Sequence, residues 1–133
     1  MRGLVLDTSA YSLYFRGHGK VQDILQTVDG IYVTTVSLGE LRAGFTGGRH
    51  RERNEAILEE FLSSPRVNVL AIDEETARRY AFLITFLKQQ GTPIPTNDVW
   101  IAAGALQHGF ELITSDKHFE RIPNLPLHLL GSA

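Results

Sequence analysis

The chain has 133 residues, no cysteine, 43% apolar residues and a formal net charge of −2. These values fit one globular domain over residues 1–133 with a sizeable core. They exclude disulfides, a thiolate metal site and the strongly basic balance of a nucleic-acid coating protein. No apolar run approaches the roughly 20 residues of a membrane helix. The opening Met1–Asp7 is too short in apolar residues for a signal peptide. A cytoplasmic protein without membrane contact is therefore expected.

Leu4-Val5-Leu6 is apolar on both faces and predicts a buried parallel strand ending at Asp7. Thr8 and Ser9 are caps for a helix to about Phe15. A helical face follows over Lys20–Val28, then a strand over Ile31–Thr35. Ser37 caps a helix that stops near Phe45, before Gly47-Gly48, and Glu52–Leu62 forms its antiparallel partner. Val67–Leu70 is a third strand and Asp73–Gln89 a long helix. Pro93 and Pro95 stiffen a connector into a helix over Thr96–His108, closed by Gly109. Leu112–Thr114 and Leu127–Leu130 complete about five strands. Alternating strands and helices predict an α/β domain with a mostly parallel, Rossmann-like sheet.

Asp7 and Asp116 each follow a predicted strand, and Asp98 lies in the first turn of a helix that feeds one of them. In parallel sheets, sites form outside the carboxyl ends of the strands where strand order reverses. Glu40 starts from the same end and shares a helical face with Val36, Ala43 and Gly44, with no nearby basic partner; Arg42 points elsewhere. Each acid has a bland role available. Asp7 can cap a helix, Asp98 favours a helix dipole, Asp116 suits a turn and Glu40 a helix edge. Four acids at one end of one sheet are harder to explain that way.

Clustered carboxylates repel, and a hard divalent cation relieves the conflict. Mg²⁺ or Mn²⁺ fits an all-oxygen set, and such a site suits phosphodiester hydrolysis by an activated water. Ser9, Asn97, Thr114 and Ser115 flank the acids and can orient ligands or waters. The five histidines are scattered and read as surface or structural groups. The basic run Arg49, Arg51 and Arg53 is a candidate contact for RNA phosphates. Phe82, Phe86 and Trp100 read as core or interface residues.

Four blocks in order carry a resemblance over nearly the whole chain. They are Leu4–Ser9, Ser37–Gly44, Pro93–Ala103 and Leu112–Phe119. With them the sequence resembles the PIN-domain ribonucleases, and within these the VapC toxins of toxin–antitoxin pairs. The resemblance implies a three-layer α/β/α fold, Mg²⁺- or Mn²⁺-dependent endoribonuclease activity on tRNA or rRNA, a homodimer and a VapB-type antitoxin. It maps the family's acids onto Asp7, Glu40, Asp98 and Asp116, and the Ser/Thr of the first motif onto Ser9. Asp7, Glu40 and Asp98 are expected to hold the principal ion, with Asp116 acting partly through water or a second ion. It also implies that an antitoxin arginine enters the acidic site, across a groove for which Tyr11, Leu13, Tyr14 and Phe15 are candidates. Two other readings are a phospho-aspartate enzyme, disfavoured by the absence of a second Asp in Asp7-Thr8-Ser9, and a non-catalytic PIN-like binding module.

Overall fold

The computed structural model describes residues 2–131. In chain order these form β1 (Gly3–Leu6), α1 (Thr8–Phe15), α2 (Gly19–Leu25), β2 (Gly30–Thr34), α3 (Thr35–Thr46), α4 (Arg51–Leu62), β3 (Val67–Leu70), α5 (Glu74–Gln89), α6 (Thr96–His108), β4 (Glu111–Thr114), a 3-10 turn (Lys117–Arg121) and β5 (Leu127–Leu129). The sheet order is β3-β2-β1-β4-β5, and every pairing is parallel. The chain steps outward from β1 to β3, then crosses back to place β4 on the other side of β1. Strand order therefore reverses between β1 and β4, where a parallel sheet leaves its crevice.

Side chains alternate across β1 and so feed two cores. Leu4 and Leu6 pack with Tyr11, Leu25, Leu41 and Leu58 on the side of α1 to α4. Val5 packs with Leu83, Leu87, Val99 and Ala102 on the side of α5 and α6. The result is the expected three-layer α/β/α arrangement. Among the described residues, no helix is long and apolar enough to cross a membrane.

Several boundaries differ from the sequence expectation, each for a local reason. Thr8 and Ser9 lie inside α1, and Asp7 is its cap, accepting a hydrogen bond from the Ala10 N–H. Thr34, not Ser37, caps α3; its hydroxyl accepts from the Ser37 N–H, so β2 ends one residue early. The second helix ends at Leu25 rather than Val28. Arg66 donates to the helix's last carbonyl, Leu25 O, at 2.5 Å and to Val28 O in the following loop at 2.8 Å. The 3-10 turn after Asp116 carries no hydrophobic period, so the sequence pattern does not announce it.

At the amino end of the sheet, Gly3 lets two aromatic rings meet over the central strand. Tyr32 and Phe110 stack with centroids 4.2 Å apart. A Cβ at Gly3 would lie 2.5 Å from Phe110 Cδ1 and 3.0 Å from Tyr32 Cε2. Crowding of a packed interior by one carbon typically costs about 1–3 kcal/mol. Gly3→Ala is therefore expected to destabilise the fold by about 1–3 kcal/mol, read by urea denaturation.

Candidate active site

The β1/β4 register pairs Leu6 with Ile113, which brings Asp7 beside Thr114 at the carboxyl ends of both strands. The Asp7 N–H continues this pairing by donating to Ile113 O. Asp7 is only 4% exposed. Its Oδ1 accepts from Ser9 Oγ at 2.7 Å and from Ala10 N at 2.8 Å. Its Oδ2 accepts from the Thr114 hydroxyl. Burial raises its pKa, opposed by these three donors and reinforced by Asp116.

Asp116 follows β4 and opens the 3-10 turn. Its N–H donates to Thr114 Oγ1 at 2.9 Å, and its Oδ1 accepts from the His118 N–H at 2.9 Å. Thr114 thus links Asp7 and Asp116 through one hydroxyl. Ser9 adds a second link, accepting from the Ser115 N–H at 3.0 Å. Ser115 contributes its backbone here, whereas the sequence points to its side chain.

Asp98 enters from the other side of the crevice, in the first turn of α6, where Pro95 serves as cap. Its carboxyl is pushed up to about 6 by burial first, then by the charges of Asp116, Asp7 and Glu40, with His118 opposing. All three other acids therefore act on Asp98, which is electrically central to the group.

Glu40 projects from α3. The Thr8 hydroxyl donates to its Oε1 at 2.6 Å, and the Asn97 amide donates to its Oε2 at 3.2 Å. Glu40 does not sit on a buried apolar face as expected, because Ala43 and Gly44 are exposed. What holds Glu40 is this pair of neutral donors from α1 and α6. Arg42 does point elsewhere, pairing with Glu55 and Glu59 on α4. Among the described residues, no lysine or arginine pairs with Asp7, Glu40, Asp98 or Asp116.

Two residues of the site are not identified by sequence pattern. Thr8 has the chemistry of a cap and instead fixes Glu40. His118 reads as one of five scattered histidines, yet its Nδ1 lies 3.1 Å from Asp116 Oδ1 and 3.7 Å from Asp98 Oδ2. The available signal is the spacing Asp116-Lys117-His118, since an aspartate at a turn start accepts from the N–H two residues on. Among the described residues, the ligand atoms of Asp98, Asp116 and His118 come within 4.8 Å of one another. Asp7 and Glu40 do not belong to that three-residue group.

The other candidate residues lie outside this cluster. Arg49 and Arg51 are exposed at the α3–α4 corner, as is Arg53 two residues further on. Arg53 borders a depression lined by Tyr11, Tyr14, Phe15 and Phe61. Leu13 is buried in the core and cannot line that groove. Phe82 is 67% exposed on α5, while Trp100 stacks on Tyr80 with centroids 3.8 Å apart.

The PIN domain family profile matches residues 4–125. The sequence is 33% identical over 93 residues to ribonuclease VapC4 of Mycobacterium tuberculosis, covering 70% of this chain and 72% of that protein. It is 37% identical over 98 residues to ribonuclease VapC1 of Haemophilus influenzae strain R2866, covering 73% and 72%. The fold superposes on a chain from the crystal structure of Rickettsia felis VapBC2 bound to a promoter DNA fragment. That match has a TM-score of 0.87 and 28% identity, over 96% of this chain and 98% of that one.

The charge conflict at Asp98 has a measurable sign. Its folded pKa, about 6, exceeds the ordinary 3.8. The ionised form is therefore penalised in the fold at neutral pH, and the penalty fades as pH falls from about 6 toward 3.8. In chelator-treated protein, Asp98→Asn is expected to raise stability by about 1–2 kcal/mol at pH 7.5, after discounting for solvent access. The gain should shrink steadily by pH 4.5 in urea titrations.

Proposed function

Because the chain belongs to the PIN-domain family, we propose that it is a divalent-metal-dependent endoribonuclease, the toxin of a type II toxin–antitoxin pair. The observation that carries this reading is the convergence of Asp7 and Asp116 at the carboxyl ends of β1 and β4 with Asp98 and Glu40 brought in by α6 and α3, and no lysine or arginine pairing with any of the four among the described residues. The donor set fits the implied metal. It offers carboxylate oxygens, which Mg²⁺ and Mn²⁺ prefer, and no thiolate.

In this reading Asp7, Glu40, Asp98 and Asp116 hold Mg²⁺ or Mn²⁺. Such an ion supplies charge stabilisation at the phosphoryl group and an attacking water of lowered pKa. The protein's own part is positional. Thr8 and Asn97 fix the Glu40 carboxylate, so it needs no reorganisation when RNA arrives. Ser9 and Thr114 hold Asp7 and tie it to the strand that carries Asp116. Asp98, its carboxyl pushed up to about 6 by its neighbours, is a group whose ionisation a bound cation strongly favours.

Arg49, Arg51 and Arg53 are read as phosphate contacts for an RNA substrate, tRNA or rRNA. The Tyr11–Tyr14–Phe15–Phe61 depression is read as the seat of an apolar antitoxin segment of VapB type. That segment's arginine would reach the acids and replace the metal's charge by a bidentate pair. The crystal structure of the Rickettsia felis VapBC2 pair on DNA supports this choice of partner. Exposed Phe82 is a candidate contact in a homodimer, and the setting is the cytoplasm.

Purified protein is expected to cut total RNA with Mg²⁺ or Mn²⁺ and to stop when a chelator is added. Asp98→Asn should lose about 100-fold or more in rate while keeping its circular dichroism spectrum. Unchanged cleavage by Asp98→Asn would overturn the mechanism. Replacing Arg49, Arg51 and Arg53 by Gln should weaken RNA binding across sequences. The slope of log affinity against log salt should flatten by roughly 0.7–0.9 for each phosphate that is no longer neutralised.

A further inference from the structure

His118 has no place in the four-acid reading, yet it faces the centre of the site. The side chain is 41% exposed, but its Nδ1 atom is shielded from solvent and makes no hydrogen bond, although the Asp116 and Asp98 carboxylates lie within ion-pair distance of it. A shielded polar atom left unsatisfied is costly, so it marks a place where a partner is missing. The backbone that carries the ring is held in place. Its residue is anchored by the N–H bond to Asp116 Oδ1, and Phe119, the next residue, is buried in the core.

The spacing around Nδ1 is that of ligands on one ion. In octahedral coordination with bonds near 2.1 Å, neighbouring donors stand about 3 Å apart. Nδ1 lies 3.1 Å from Asp116 Oδ1 and 3.7 Å from Asp98 Oδ2, and the three donors fit within 4.8 Å of one another. We propose that His118 Nδ1 is a direct ligand of the divalent ion held by Asp98 and Asp116, and that this nitrogen biases the site toward Mn²⁺ over Mg²⁺. The proposal rests on the metal-dependent reading given above. Mg²⁺ is the harder ion and keeps its waters, whereas an imidazole donor suits the softer transition metal.

The test uses Mn²⁺ on the full chain and reads the ligand directly. Electron spin-echo envelope modulation of the Mn²⁺-loaded protein should show a directly coordinated ¹⁴N nucleus. Labelling all histidines with ¹⁵N in the wild-type chain should replace that signal, with no change of sequence or fold. His118→Gln should abolish it. Calorimetry should show Mn²⁺ affinity falling about tenfold or more in His118→Gln, with a smaller loss for Mg²⁺. Mn²⁺ bound without nitrogen coupling, or with coupling retained in His118→Gln, would overturn the role of His118 and leave the four-acid reading intact. Failure of the wild-type chain to bind Mn²⁺ would overturn both.

Discussion

Asp98 lies within the field of three other carboxylates, and among the described residues no lysine or arginine pairs with any of the four. The opposite end of the same sheet is built the other way. There Glu111 accepts from Arg2 at 2.6 Å and 2.9 Å and lies against His128, and its carboxyl is held down to about 2, chiefly by the Arg2 hydrogen bonds. Glu111 at the start of β4 is compensated by a cation from the chain, whereas Asp98, facing the other end of the sheet, has no lysine or arginine partner among the described residues. Clustered acids destabilise a fold unless something outside the chain binds them, so the conflict at Asp98 is the constraint around which the site is arranged.

The fold explains how four acids distant in sequence reach one place. Asp7 and Asp116 follow adjacent parallel strands whose register is fixed by β1/β4 pairing and by the alternation of Leu4, Val5 and Leu6 between two cores. Glu40 and Asp98 come from α3 and α6, which contact each other across the crevice. Neutral polar groups then fix the acids in place. Thr114 bonds both Asp7 and Asp116, Ser9 bonds Asp7 and Ser115, and Thr8 with Asn97 bonds Glu40. A lysine in any of these positions would settle the charge and close the site to an external cation. A hydroxyl or amide fixes the carboxylate and leaves its charge uncompensated.

The order of strands and helices is legible in the sequence because apolar periodicity dictates it, and the strand-end positions of Asp7 and Asp116 follow from that order. Asp98 reads as the weakest candidate, since a first helical turn accounts for an aspartate cheaply. In the fold it feels the charges of Asp116, Asp7 and Glu40, tertiary neighbours invisible to local pattern. Glu40 reads as the strongest on an apolar-face argument that fails, as Ala43 and Gly44 are exposed. The caps expected at Thr8 and Ser37 fall elsewhere for one reason. The residue at the junction of strand and helix, Asp7 or Thr34, can itself cap the next helix and free its neighbour. Thr8, so freed, turns to Glu40. His118 is illegible in the sequence because a 3-10 turn has no hydrophobic signature, and only the turn folds His118 back onto Asp116.

The same charge conflict bears on inhibition as well as on the proposed catalysis. A cluster of acids without a lysine or arginine partner attracts any cation of suitable geometry. On the proposed reading, a metal ion and an antitoxin guanidinium are alternatives for the same uncompensated charge. Binding of either raises the ionised fraction of Asp98 and stabilises the fold by mass action. An inhibitor of this kind needs little affinity from the acids alone. The aromatic depression of Tyr11, Tyr14 and Phe15 sits on α1, the helix that Asp7 caps and that supplies Thr8 to Glu40. A segment seated there starts from the same helix that positions two of the four carboxylates. Its apolar contacts would provide the binding energy, and its guanidinium would be delivered at high effective concentration to acids already fixed in place.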